Sequence, residues 1–493
     1  MYDRFDFDIY ETPHFQIYNY LTNDSIKTNI AQLSERWYLR HTSIFHDTLH
    51  ESPIILYNNH ADFKQTTVIS GLIGVGTGGV TEGFRSRVMI PIMASNKETD
   101  HVLGHEMVHV FQYNLVREDD SLSMQALMYT PLWMIEGMAE FFSIGPRDNR
   151  TAMWMRDAVI HDDIPTIKDL TRKQYEYFPY RYGHAFLAYL SGVWGDNALQ
   201  PLLYNTFKFG PERAFDTLFH FSTDSISKLW AKSLKDYYKP LLKDTLAPIG
   251  KKLFSTDNAG SMNLSPVLSN DGKKIIFLAD KNVITIDIIL ANTKSAEILK
   301  TLTSNVRKSH IDDFNYIESA GAWSPKGNKY VLTTFTKGSN NLLLIDISKN
   351  KTKTIKEIKI KGIDAFSNPE WSPDGNSILF TGLVDGQSDL FLYNINTKSY
   401  KQLTNDLYSD LQASWSANGE NIAFISERGS DTKLEKQIYG TYRLCILNTK
   451  TNKIKTLNFF EKADIYSPQY SPLDTSIFFL SNADGFRNLY RYN

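Results

Sequence analysis

Hydrophobic and polar positions change rhythm along this chain. Near the start they alternate: Phe15-Gln-Ile-Tyr-Asn-Tyr, Pro53-Ile-Ile-Leu-Tyr and Arg87-Val-Met-Ile-Pro-Ile each read as a strand. Between the first two, apolar residues recur at helical spacing from Ser25 to about His46 (Ile30, Leu33, Trp37), which predicts a helix. From residue 100 the period is helical again, over 100–116, 130–142, 180–193 and 226–242, with Asp100 as the expected N-cap. A mixed sheet followed by a helical block is an α+β arrangement. The longest apolar run, Val68 to Val80, is 13 residues with five glycines and reads as a glycine-rich turn region beside a strand. It falls short of the ~18–20 apolar residues a membrane helix needs, so no transmembrane segment is expected.

Beyond residue 250 the text repeats. The copies are Ser269-Asn-Asp-Gly-Lys-Lys-Ile-Ile-Phe, Trp323-Ser-Pro-Lys-Gly-Asn-Lys-Tyr-Val, Trp371-Ser-Pro-Asp-Gly-Asn-Ser-Ile-Leu-Phe, Trp415-Ser-Ala-Asn-Gly-Glu-Asn-Ile-Ala-Phe and Tyr470-Ser-Pro-Leu-Asp-Thr-Ser-Ile-Phe-Phe. Their serines are 55, 48, 44 and 55 residues apart. Asp-Gly and Asn-Gly between alternating apolar runs signal tight turns, because these residues tolerate positive φ. Several copies continue into an apolar strand such as Leu390-Phe-Leu-Tyr and a polar one such as Lys401-Gln-Leu-Thr. A repeat of short strands at this period predicts a β-propeller. An irregular sandwich has no reason to repeat its turn chemistry. The copies resemble the WD40-like repeats of the TolB propeller. The last copy stops after Asn488-Leu-Tyr-Arg-Tyr, and Lys251-Lys-Leu-Phe-Ser resembles the polar strand it lacks. Two arrangements follow: a ring closed by pairing 251–255 with about 488–492, or a chain cut inside a longer propeller.

Charge divides the chain at the same place. Residues 1–250 carry 23 basic and 30 acidic side chains (−7); residues 251–493 carry 30 and 25 (+5). Eleven of the twelve histidines lie in the first half. Titratable and metal-binding chemistry is therefore sought in 1–248, strand-rich to 95 and helical after it, with 249–493 as the propeller. The whole chain is near neutral at −2, so no global field argues for nucleic acid. One cysteine, Cys445, excludes an intramolecular disulfide framework and any multi-cysteine metal site. Met1-Tyr-Asp-Arg has neither the basic nor the apolar part of a signal peptide.

The chemistry centres on His105-Glu106-Met107-Val108-His109. On a helix, positions i and i+4 share a face about 6 Å apart along the axis, so two imidazoles can converge on one zinc. Glu106, one step round, reaches a zinc-bound water rather than the ion, as a general base must. His101 lies about 12 Å along the axis from His109, too far to share its ion, and is read as a helix-start or supporting residue. A third ligand is sought downstream in Trp133-Met-Ile-Glu136-Gly-Met-Ala-Glu140-Phe-Phe. Two carboxylates at i and i+4 on an apolar helix need partners, and a metal plus a ligand histidine would supply them.

These motifs resemble the gluzincin zinc metallopeptidases, in particular the peptidase MA-like domain. In M1 aminopeptidases the glutamate of a later Asn-Glu-Gly-Phe-Ala helix is the third ligand, and Glu136 in Ile-Glu-Gly-Met-Ala matches it. Ile135 replaces the asparagine, and the spacing is longer than usual in M1. In thermolysin-like enzymes an acid four residues on orients a zinc histidine, which Glu140 matches. Pro179-Tyr180-Arg-Tyr182-Gly-His184 is similar to the M1 segment Pro-Tyr-Glu-Lys-Gly. The resemblance gives Tyr180 the oxyanion, with Tyr182 as the runner-up and no role for His184. Gly78-Gly-Val-Thr-Glu82 is loosely similar to the M1 exopeptidase loop, where a glutamate grips the substrate amine. The implied protein is a one-zinc peptidase acting on peptide or protein substrates, exported to the periplasm or cell envelope as TolB is. Its propeller would present or restrict substrate, or bind another macromolecule. The competing reading is an envelope scaffold that works through the propeller; a non-peptidic amide hydrolase would share the same site.

Overall fold

The computed structural model describes residues 5–49, 52–69, 71, 73–119, 122–242, 250–282, 285–304, 313–314, 321–348 and 353–493. The first half is built on a mixed sheet of β1 (Asp8–Glu11), β2 (Phe15–Asn19), β3 (Ser52–Tyr57), β4 (Val80–Glu82) and β5 (Arg87–Pro91), ordered β1-β2-β3-β5-β4. β2, β3 and β5 run parallel, while β1 and β4 pair antiparallel at the two edges. Alternation decides the faces. Ile54, Leu56, Val88 and Ile90 enter the large helical core, and Tyr57 and Met89 enter a smaller cluster with Phe63 and Ile73.

Among the described residues eleven α-helices pack with this sheet, the first two set between its strands and the rest after them: α1 (Asp24–Phe45), α2 (His60–Phe63), α3 (Asn96–Arg117), α4 (Met124–Tyr129), α5 (Leu132–Ile144), α6 (Asn149–Ile160), α7 (Ile167–Arg172), α8 (Pro179–Trp194), α9 (Leu199–Phe209), α10 (Pro211–Phe219) and α11 (Thr223–Leu241). None among the described residues is long and apolar enough to cross a membrane. The expected helices at 25–46, 180–193 and 226–242 correspond to α1, α8 and α11. The expected start at Asp100 is wrong by a full turn. The N-cap of α3 is Ser95, whose Oγ accepts from the Glu98 amide at 3.2 Å. Asn-Lys-Glu-Thr forms a polar first turn, and the apolar period that sequence reading follows begins only at Val102. Asp100 instead accepts from Trp37 Nε1 at 2.7 Å and pairs with Arg36. Likewise α5 begins at Leu132 rather than Thr130, because Thr130 precedes Pro131 and is held extended at φ −74° and ψ 133°.

The second half is five sheets in sequence. Blade 1 has β6 (Asn263–Leu268), β7 (Lys274–Asn282), β8 (Thr285–Asn292) and β9 (Ile298–Ser304). Blade 2 has β10 (Asp313–Phe314), β11 (Ala322–Trp323), β12 (Lys329–Thr336), β13 (Ser339–Asp346) and β14 (Lys353–Ile358). Blade 3 has β15 (Ala365–Trp371), β16 (Ser377–Val384), β17 (Gln387–Asn394) and β18 (Tyr400–Gln402). Blade 4 has β19 (Asp410–Trp415), β20 (Asn421–Ser426), β21 (Arg443–Asn448) and β22 (Ile454–Leu457), and blade 5 has β23 (Ile465–Tyr470), β24 (Ile477–Ser481) and β25 (Asn488–Tyr492).

The repeated Ser-Pro-Asp-Gly text is the turn between each blade's innermost long strands. In blades 1 to 4 the serine hydroxyl accepts the amide five residues on, as from Lys274 to Ser269 at 3.0 Å and from Ser377 to Ser372 at 2.9 Å. Four innermost strands also carry a bulge with one residue at positive φ: Ser265, Asn368, Gln412 and Ser467. Buried apolar clusters join blades 1 and 2, 2 and 3, 3 and 4, and 4 and 5; none among the described residues joins blade 5 to blade 1. The pairing of 251–255 with 488–492 is not made. Residues 251–255 form no strand, and among the described residues β25 pairs only with β24. A pair of polar half-strands carries too little apolar surface to specify that register from sequence.

Candidate metal centre

α3 is buried on nearly every side from Leu103 to Gln112, so its polar residues face the interior of the first half. One helical turn puts His105 Nε2 and His109 Nε2 3.2 Å apart. α5 crosses α3 and delivers Glu136, whose Oε2 stands 3.2 Å from the first and 3.3 Å from the second. Three atoms bound to one zinc at ~2.1 Å and tetrahedral angles lie ~3.4 Å from one another, so this trio fits the ion. The tautomer of His109 suits it too. Its Nδ1–H donates to Gln112 Oε1 at 2.8 Å and Gln112 Nε2 donates to the Ile135 carbonyl at 3.0 Å, so in the neutral imidazole the lone pair is on Nε2, facing the other two donors.

Charge points the same way. Burial pushes His105 down, but the carboxylates of Glu136 and Glu140 outweigh it and hold the imidazole at about 10. His109 is raised against its burial chiefly by Glu136. Burial would raise Glu136, yet the two histidines hold it well below the usual carboxylate range. The cluster of buried carboxylates therefore draws positive charge to the point between the three donors.

Glu106 lies one step round α3 and does not join the trio, although both imidazoles feel its charge. Thr81 on β4 donates to its Oε2 at 2.7 Å. Gly79, just before β4, lies so close that a Cβ there would sit 2.7 Å from Glu106 Cγ. The glycine-rich run thus lets the edge strand lie directly on this carboxylate. Glu140, one turn after Glu136, stands 3.4 Å from His105 Nδ1, an ion-pair distance rather than a hydrogen bond. It is shared: His101 Nε2 lies 3.5 Å away, and Arg181 donates to it at 2.9 Å. Burial opposes its ionisation, but His101 and His105 hold it far below the usual range. His101 is thus a neighbour of Glu140, apart from the trio with His109.

Tyr180 opens α8, and its ring stacks on His105 with centroids 5.7 Å apart and planes 10° from parallel. Burial and the Glu136 carboxylate push its phenol well above the ordinary value, so it stays protonated. Tyr182 instead packs in the core between Tyr177 and Trp154. The crossing that brings α8 here depends on two motif glycines. A Cβ on Gly137 would come within 2.4 Å of Gly183, and one on Gly183 within 2.1 Å of the Trp133 carbonyl. His184 is committed to the Gly145 carbonyl at 2.8 Å.

Glu82 ends β4, where both its Oε2 contacts go to Arg87 across the hairpin, at 2.6 and 2.5 Å. Its Oε2 is thereby engaged within the hairpin, on the same edge strand as Thr81. Thr81, Gln112 and Arg181 are the site residues that sequence reading passed over. Gln112 had a signal, lying three positions after a candidate ligand; Thr81 and Arg181 had none beyond adjacency to candidates.

Residues 83–232 match the family model described as Peptidase of plants and bacteria, a span that includes all three donors, Glu106 and Tyr180. Residues 250–441 match the TolB beta propeller domain. No curated protein sequence matches the chain. Among solved structures, TolB from Acinetobacter baumannii is 19% identical over 49% of this chain and 57% of its own, with a TM-score of 0.35. A puromycin-hydrolyzing peptidase from Mycobacterium tuberculosis is 13% identical over 47% of this chain and 35% of its own, also with a TM-score of 0.35. The chain thus spans little more than half the length of the first of these and about a third of the second. It carries a TolB-like β-propeller of five blades behind a helical region that matches the Peptidase of plants and bacteria family.

Proposed function

We propose that the chain is a zinc-dependent peptidase of gluzincin type, with His105, His109 and Glu136 as the residues that hold the metal. The observation that carries this reading is the convergence of their three donor atoms within 3.2–3.3 Å, beside a carboxylate that stays out of the trio. Zinc bound there supplies a Lewis acid that polarises a carbonyl and acidifies a water.

The remaining steps belong to the protein. Glu106 takes a proton from the attacking water and passes it to the leaving amine. Tyr180 donates its hydroxyl to the carbonyl oxygen as negative charge builds there, and burial keeps that donor neutral. Glu140 and Gln112 orient the two imidazoles. β4, the edge strand of the sheet among the described residues, lies beside Glu106 and would pair with an extended peptide. The matched peptidase family supports this assignment, and so do the intact base and the tyrosine at the donor set. The propeller presents or restricts substrate. By the TolB resemblance the protein acts outside the cytoplasm, in the cell envelope.

The deciding experiment couples metal analysis of the purified chain to a peptide-library cleavage assay, run on the native protein and on Glu106→Gln. About one zinc per chain in both, with cleavage lowered by at least ~10² in the variant, is expected. Equal cleavage by the two proteins would end the mechanism, and a native chain that binds no zinc would end the ligand assignment.

A further inference from the structure

The N-terminus of α3 does not end in solvent. It is seated on the propeller, and the hydrogen bonds of its first three helical amides can be traced. The first three amides of a helix have no carbonyl within it to pair with. In α3 these belong to Asn96, Lys97 and Glu98. The Glu98 amide goes to its own N-cap, Ser95 Oγ, at 3.2 Å. The Asn96 amide goes to Ser409 Oγ at 3.1 Å, and the Lys97 amide to Glu427 Oε1 at 2.9 Å. Two of the three are therefore satisfied by a part of the chain more than three hundred residues away, just before β19 and just after β20.

The surrounding contacts tighten the same joint. Asn96 Nδ2 donates to Glu427 Oε2 at 3.1 Å and to the Leu407 carbonyl at 3.0 Å. The Ser95 and Tyr442 hydroxyls are 2.7 Å apart, and Lys97 Nζ reaches Asp464 at 3.2 Å. Glu427 is wholly buried. No ion pair to Glu427 is formed among the described residues, and a carboxylate so buried is costly unless amide donors and the positive end of a helix dipole offset it; α3 supplies both. The joint extends to α1. Residues 427–442, between β20 and β21, replace the tight turns Lys337-Gly338 and Asp385-Gly386 of blades 2 and 3. This longer segment receives Arg36 on the Gln437 carbonyl at 2.7 Å, and Arg36 in turn pairs with Asp100 of α3. Tyr439 meets Asn29 at 3.0 Å.

We infer that the propeller is the mount of the helix that carries His105, Glu106 and His109, with Glu427 and Ser409 as positioning residues that cap that helix from the other half of the chain. Its link to the metal rests on the function proposed above; the mount itself does not. A rigid α3 held at its start sets where its third and fourth turns, with His105 and His109, stand against Glu136 on α5. The propeller is then a structural part of the site and more than a substrate gate.

The test uses the full chain with Ser409→Ala, Glu427→Gln and Glu427→Ala. Amide hydrogen exchange is followed in a peptide covering 96–104, with a peptide from α8 as the internal reference. Losing one cap costs about 1 kcal/mol, so exchange in the first turns of α3 should rise about five- to tenfold in Ser409→Ala and Glu427→Ala while α8 is unchanged. Glu427→Gln, which keeps an acceptor oxygen, should fall between them and the native chain. Cobalt(II) titration reads the metal link. The visible bands should shift and cobalt affinity fall severalfold in the order of the exchange effects. Native exchange over 96–104 in all variants that fold would overturn the mount. Faster exchange with a native cobalt spectrum would overturn its link to the metal. If Glu427→Ala does not fold, Ser409→Ala and Glu427→Gln decide the question. A native chain that binds no cobalt would fail the metal reading, and the exchange data would still judge the mount.

Discussion

Thr81 donates its hydroxyl to Glu106 Oε2 at 2.7 Å, which ties the edge strand β4 to the carboxylate of the histidine helix. The hydroxyl also lies 3.0 Å from the Glu106 backbone carbonyl, so side chain and main chain of Glu106 converge on one threonine.

Thr81→Val keeps the shape of the side chain and removes this donor. A carboxylate that loses a charge-assisted hydrogen bond is less well held, and the loss is worth roughly 1–3 kcal/mol. Peptide hydrolysis should fall about tenfold in kcat, with KM and zinc content close to native and with Thr81→Ser restoring most of the rate. Steady-state kinetics beside metal analysis checks this. A native kcat in Thr81→Val would show that Glu106 needs no such support.

Tyr180→Phe should lower kcat by ~10²–10³, the scale of one lost oxyanion donor, while zinc content and thermal unfolding stay native. The phenol is pushed up by burial and by Glu136, so it does not titrate in the working range, and the loss should be the same at every pH tested. Tyr182→Phe, a change in the core beside Tyr177 and Trp154, should leave kcat near native. A reversed outcome for the two tyrosines would move the oxyanion donor to the other residue.

Glu370 in the propeller gives a pH prediction free of the metal. Its carboxylate accepts from the Trp415 amide at 3.0 Å, between blades 3 and 4, and burial pushes it up to about 8. The folded chain then binds this proton more tightly than the unfolded one, whose ordinary glutamate value is about 4.3. The sign follows: stability from this group is fully present below pH ~4, falls as pH rises, and is lost above pH 8. Glu370→Gln keeps the acceptor for Trp415 and removes the buried charge. Its Tm should exceed the native value at pH 8.5, with the gap closing towards pH 4.5. Parallel Tm profiles for the two proteins across that range would refute the assignment.

The repeats, the central motif and its helix were legible because each is local. Two histidines at i and i+4 meet on any α-helix, and Asp-Gly turns between alternating strands need only the backbone preferences of those residues. Glu136 and Tyr180 were reached through resemblance to known motifs. Glycines in those motifs, Gly137 and Gly183, turned out to be the contact that lets α5 and α8 cross closely enough to serve one site.

Tertiary structure alone decided the partners that lie far apart in sequence. Nothing in the spacing of Thr81 and Glu106, or of Arg181 and Glu140, announces a hydrogen bond, because both arise from how the sheet and the helices pack. The true start of α3 was hidden for the same reason. Its first turn carries polar side chains and is held by two backbone amides that find acceptors at blade 4, so the apolar rhythm that marks a helix in sequence begins only after that turn has ended. A hydrophobic period records which side of an element meets a core. It carries no record of which distant side chain will complete that element's hydrogen bonds, and that completion is what places the histidine helix of this protein.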